Sequence, residues 1–251
     1  MRLLVISFLF SVLSSLSYAQ NSLDELINLS NEGDAEATYK AAKMLHDGNR
    51  VEKDIVRAIE LYKQAAAQNY YPAGLPLGRI YSSQMVFEID MEYTKEMLQF
   101  AASDSEGGDH VMEAAYFLAQ IYIGEKAGNR TVYKWLELAA DNGHPAAAAD
   151  VAYQYFSGRK LIKDLAKAYK YSGMAARRGH GASQYNYAVM HNQGAGTPKD
   201  NVKALTWFIV AADTDAKFDN VVTIEKFEKG LTASEVAKAK QDAKDIIARY
   251  N

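Results

Sequence analysis

Small apolar residues recur along this chain at helical spacing, each set sharing a face with a larger group. Ala-Ala pairs stand at Ala65-Ala66, Ala101-Ala102, Ala139-Ala140, Ala175-Ala176 and Ala211-Ala212, separated by 36, 38, 36 and 36 residues. Four residues before each pair come Leu61, Met97, Trp135, Tyr171 and Trp207, and seven before come Ala58, Thr94, Val132, Ala168 and Ala204. Steps of three and four place these positions on one helix face. A stripe of alternating small and bulky groups lets neighbouring helices interdigitate closely. Eleven residues before each pair stand Asp54, Asp90, Asp164 and Asp200, short acceptors suited to the free amides of a helix start. The third copy reads Gly128-Asn129 there, and Asn129 is the expected substitute cap.

A second helix precedes each of these. Its end carries a large residue, a small one and then a ring or branched chain: Ala41-Ala42-x-x-Leu45, Leu77-Gly78-x-x-Tyr81, Leu118-Ala119-x-x-Tyr122, Val151-Ala152-x-x-Tyr155 and Tyr187-Ala188-x-x-His191. Five helix pairs at a period near 36 predict stacked helical hairpins, in which each unit buries the face its neighbour leaves open. The fifth copy runs from Tyr187-Ala188 through His191, Gly194, Asp200, Lys203-Ala204 and Trp207 to Ala211-Ala212. The fourth keeps Tyr155, Gly158, Asp164, Lys167-Ala168, Ala175-Ala176 and Gly179. This pattern resembles the Sel-one-like repeats, a subclass of the tetratricopeptide-like solenoids. The resemblance implies an all-α, right-handed α-α solenoid of about five repeats with helical caps, used for binding rather than catalysis.

The repeats are expected over residues 33–69, 70–108, 109–143, 144–179 and 180–216. Copy two carries Gln84 and copy three Glu125 where the others have the loop glycine, and a Ser/Asp/Gly-rich insertion (residues 103–110) lies between them. That insertion is expected to shift the superhelical phase or to touch a partner. Residues 20–32 read as an N-terminal capping helix, opened by Ser22 and Glu25 and presenting Leu23, Leu26 and Ile27. Residues 217–251 read as a degenerate half repeat, with Val221, Val222, Ile224 and Phe227 docking onto copy five, followed by a capping helix that Thr232 and Glu235 open.

The start of the chain changes the picture. Arg2, an apolar run over residues 3–13 and Ser17-Tyr18-Ala19 have the form of a secretory signal cut before Gln20, so residues 1–19 are set apart and a periplasmic or secreted protein is expected. Cysteine is absent, which excludes disulfides and a lipid on cysteine. Losing Arg2 leaves 27 basic against 31 acidic residues. A mildly acidic protein is a poor binder of nucleic acid or anionic membrane. No later stretch reaches the ~20 apolar residues of a membrane span.

Candidate chemistry is sparse. His144 and His180 recur one repeat apart after Gly143 and Gly179, as a loop habit rather than a ligand pair, and no metal or cofactor is expected. Ser157-Gly158-Arg159-Lys160 has the S-x-x-K spacing of penicillin-interacting enzymes, but Gly158 already has a loop role. Charge distribution is more informative. Residues 86–113 hold eight acidic groups and one basic; residues 153–180 hold seven basic and one acidic. Such polarity suits either a solvated face or a surface that steers a charged partner. Tyr153 and Tyr185 fall off the repeated packing positions and are candidates for a binding groove, with Arg159, Lys160, Arg177 and Arg178 beside them. The repeated Asp54, Asp90, Asp164, Asp200, Trp135, Trp207, Gly158 and Gly194 are assigned structural roles. The expected partner is a protein or peptide, with no small-molecule substrate and no catalytic residue. Within that class the resemblance allows an envelope scaffold or an immunity protein against a periplasm-delivered toxin such as a lipase effector. The rival class is an enzyme acting on cell wall or β-lactams.

Overall fold

Why these segments become helices is visible at their ends. Asp54, Asp90, Asp164 and Asp200 each accept a hydrogen bond from the backbone N–H three residues on, of Arg57, Tyr93, Lys167 and Lys203, at 2.9–3.0 Å. Gly48, Gly158 and Gly194 close the preceding helices with φ of +66°, +68° and +70°, a left-handed conformation that glycine adopts without strain. Copy three departs from both habits. Asn129 is the first residue of its helix, not the cap; Gly128 caps it without a side-chain bond, and Lys126 takes the positive φ, +55°.

The computed structural model describes residues 22–49, 51–83, 90–214 and 221–250. The signal-like residues 1–19 and Gln84 lie outside them. Among the described residues all regular structure is helical, and these residues divide into two compact units, one up to Ala114 and one from Ala115 onward.

The first unit contains α1 (22–31), α2 (Ala35–Asp47), α3 (Ile55–Ala67), a short 3-10 turn (Tyr71–Ala73), α4 (Gly74–Tyr81), α5 (Met91–Ala102) and the start of α6 (Asp109–Gly124). Helices α2 and α3 pack as one hairpin and α4 and α5 as the next. Leu23 of α1 enters the core that Leu45, Ile59, Tyr62, Leu77 and Ile80 form, and Leu26 and Ile27 pack against it. The insertion at 103–110 is tied by Asp104, which accepts the Glu106 N–H and faces His110 Nε2 at 2.8 Å.

The second unit holds the rest of α6, then α7 (Asn129–Asp141), α8 (Pro145–Ser157), α9 (Leu165–Arg177), α10 (Gly181–Gln193), α11 (Asn201–Thr214), α12 (Val221–Gly230) and α13 (Ala233–Ile247). Consecutive helices α7 to α11 pack on one another, and α13 lies on α11. The first alanine of every pair is wholly buried, as are Ala58, Ala168 and Ala204. Thr232 and Glu235 form a reciprocal capping box at the start of α13. Ile224 and Phe227 of α12 dock against the Phe208 cluster, whereas Val222, expected to dock, is 81% exposed. It sits on the outer side of a helix that one stripe suffices to anchor.

Candidate interaction groove

Stacking α9, α10, α11 and α13 lines up side chains from four separate segments. Tyr169, Gly173 and Arg177 follow one another at four-residue steps on α9, facing Tyr187 and His191 on α10. The Arg177 guanidinium donates to the Tyr187 hydroxyl at 3.4 Å and lies over its ring, 5.8 Å from the centroid. Tyr187 in turn donates to the Tyr169 hydroxyl at 2.9 Å, which stands 3.4 Å from His191 Nε2. Burial, and then the bond to Tyr169, push the Tyr187 hydroxyl up to about 12. Burial, aided by nearby Lys203, lowers the basicity of His191 and so disfavours its charged form.

Two adjoining hollows open from this cluster. One, of about 390 Å³, reaches Lys203, Thr206, Asp242 and Asp245. The other, of about 420 Å³, is lined by Arg177, Arg178, Arg249, Trp207, Ile246 and Tyr250. They share Arg177, Trp207, Ile246 and Arg249, and so form one groove. The second hollow has three guanidinium groups, an apolar wall and no acidic lining residue. Tyr250 is fastened by its hydroxyl, which donates to the Ala176 carbonyl at 2.9 Å. The carboxylates in the first hollow are engaged: Asp242 pairs with Lys238, and Asp245 accepts from the Gln241 amide.

Arg177 and Arg178 thus line one groove with Trp207, while Trp135 is buried on α7 beneath Lys134, whose ammonium lies 4.4 Å from the ring centroid. Tyr153, Arg159 and Lys160 stand elsewhere, on and just beyond α8. Tyr153 is 45% exposed with the Arg159 guanidinium 5.8 Å from its ring centroid, and Lys160 is exposed. Tyr185 occupies a third place, half-buried edge-on to Phe208 and lining a hollow of about 490 Å³ against α12. Ser157 accepts the Arg159 N–H at 3.4 Å, an ordinary turn contact at the helix end.

Sequence reasoning missed three participants. Arg249 lies at the end of the capping helix, outside any repeat, and Tyr250 beside it gave no periodic signal. Gly173 departs from every neighbouring copy only when the second helices are aligned on their alanine pairs. The histidines also turned out to have a job: His144 and His180 are the N-caps of α8 and α10, with Nδ1 accepting the N–H of Ala147 at 3.1 Å and of Ser183 at 3.3 Å.

The Sel1 repeat family model matches residues 35–70, 133–144, 145–180 and 181–213. No curated protein is similar enough in sequence to count as a relative. Among solved structures, c5321, a protective antigen of uropathogenic Escherichia coli strains with an SLR fold, superposes with a TM-score of 0.60 at 22% identity. The match covers 90% of this chain and 48% of that one, so this chain spans about half the length of that relative. A Sel1 repeat protein from Oxalobacter formigenes gives a TM-score of 0.61 at 22% identity, covering 81% of this chain and 85% of that chain. The immunity protein Pa5087 of Pseudomonas aeruginosa overlaps more loosely, with a TM-score of 0.40 at 16% identity over 78% of this chain and 75% of its own, too loose to bear on this chain's function. With the register of its alanine pairs, its capped hairpins and the family-model matches, the chain carries Sel1 repeats in a fold that is all-helical over the described residues.

Proposed function

We propose that this protein is an exported scaffold that binds another protein without a catalytic step, and that the groove bounded by Arg177, Arg178 and Arg249 is part of the surface it uses. The observation that carries this reading is the second hollow of that groove: three guanidinium groups and three largely apolar side chains with no acidic residue among them. Clustered arginine and aromatic side chains are the composition of energetic centres at protein interfaces. The leader-like residues 1–19 support export, and no helix among the described residues is long and apolar enough to cross a membrane.

The test is affinity capture from periplasmic extract with protein beginning at Gln20, compared with the double variant Arg177→Glu, Arg178→Glu. A stoichiometric protein partner, lost with the variant while helicity by circular dichroism is retained, is the expected result. If that partner is a toxic hydrolase, the scaffold acts as its immunity protein. Turnover of a β-lactam or cell-wall fragment by the purified chain would overturn the non-catalytic reading.

A further inference from the structure

Aligning α9 with α7 on their alanine pairs exposes an inversion. In α7 the stripe is Tyr133, Glu137 and Asp141; thirty-six residues on, in α9, it is Tyr169, Gly173 and Arg177. The acids of α7 are satisfied within the protein. Lys170 Nζ lies 2.6 Å from Asp141, Tyr171 donates to the same carboxylate at 3.4 Å, and Tyr155 donates to Glu137 while receiving Lys167 Nζ at 3.0 Å.

One repeat later the acid at 137 has become Gly173 and the acid at 141 has become Arg177. The residue facing it, Lys170 in the earlier copy, has become Thr206. The charge has changed sign on one helix without its complement appearing on the next. Among the described residues neither Arg177 nor Arg249 has a carboxylate within ion-pair distance. Gly173 also keeps the space: a Cβ there would come 3.0 Å from the Tyr187 ring and 3.1 Å from the Arg177 guanidinium.

We infer that this groove is completed by a carboxylate from outside the chain, an aspartate or glutamate side chain of an acidic segment of the partner protein, received by Arg177 and Arg249 as the charge opposite Arg177, in the place that Lys170 fills opposite Asp141 one repeat earlier. A carboxylate on guanidinium groups accepts paired, charge-assisted hydrogen bonds, stronger than those to neutral acceptors. Trp207, Ile246 and Tyr250 along the same hollow give an adjoining apolar side chain of that segment its contact. The inference rests on the scaffold reading and specifies the chemistry of its partner.

The probe is a fluorescein-labelled peptide of glutamates around one tryptophan, with a control in which every glutamate is glutamine. Polarisation is followed for the intact mature chain and for Arg177→Asp and Arg249→Gln. The acidic peptide is expected to bind, to weaken with rising salt, and to lose at least about tenfold in affinity in either variant; the glutamine control is expected not to bind. Arg249 is exposed at the chain's end, so its variant keeps the test valid if Arg177→Asp perturbs folding. Equal binding of both peptides, affinity unchanged by both variants, or full competition by inorganic phosphate at equal carboxylate concentration would overturn the inference. If the partner capture above survives in Arg177→Asp and Arg249→Gln, the carboxylate site fails while the scaffold stands. If no partner is captured at all, the scaffold reading fails.

Discussion

Gly173 lies against the ring of Tyr187: a methyl group on it would meet Cε2 and Cζ at 3.0 Å. That closeness is what lets α9 and α10 bring Tyr187, Tyr169 and Arg177 into one line of hydrogen bonds. Gly173→Ala gains helix propensity of about 1 kcal/mol but overpacks the contact, which costs about 1–3 kcal/mol. The expected outcome is a net loss of about 1 kcal/mol in urea unfolding, with a shift in tyrosine and tryptophan fluorescence. An increase in stability would show that the ring moves aside freely.

Gly196 is under a stricter constraint. Its φ is +72°, and a Cβ would stand 2.0 Å from the Leu165 carbonyl oxygen. Backbone cannot yield as a side chain can, so Gly196→Ala is expected to cost more than about 2 kcal/mol. Thermal unfolding of the variant measures it; a melting temperature equal to that of the parent would contradict the geometry.

The caps offer a paired test in opposite directions. Asp164→Ala removes the acceptor for the Lys167 N–H and is expected to lower stability by about 1 kcal/mol. Gly128, the cap of α7, has extended backbone angles and no side chain to accept. Gly128→Asp should therefore raise stability by a few tenths of a kcal/mol. Chemical denaturation of both variants gives the signs, and an identical response at the two sites would remove capping as the cause.

His191 predicts a pH dependence. Its folded basicity lies below the ordinary histidine value of 6.5, chiefly because of burial and secondarily because of Lys203. The folded chain takes up the proton less readily than the unfolded one, so stability is fully present above about 6.5 and declines as pH falls below it. His46 is shifted in the same direction by burial and adds to the decline. His191→Gln is expected to remove part of the slope between neutral and mildly acid pH, and a slope unaltered in His191→Gln would refute the assignment.

How much of this was legible follows from the kind of interaction involved. The alanine pairs, the capping aspartates and the loop glycines act within a few residues of themselves, so their types and spacing announce them directly. Val222 and Asn129 misled because an apolar or short polar side chain has no fixed role until its neighbours exist: Val222 turned to solvent, and the helix began at Asn129 itself, leaving Gly128 in the cap position. Surplus positive charge over residues 153–180 was also plain. Which of those charges stay unpaired was not, because the acids that engage Lys167 and Lys170 lie on α7, 30 residues and 29 residues away in the pairs Lys167–Glu137 and Lys170–Asp141.

The sequence by itself determined the repeated hairpin, the order of its helices and the identity of its buried stripe, since periodicity and end-capping are local properties of the chain. Only the tertiary structure decided that Arg177, Arg178, Trp207, Arg249 and Tyr250 share one groove. Their meeting depends on α13 folding back onto α11 and on the Tyr250 hydroxyl reaching the Ala176 carbonyl, 74 residues away. Contacts across that separation arise from packing, which no spacing along the chain encodes.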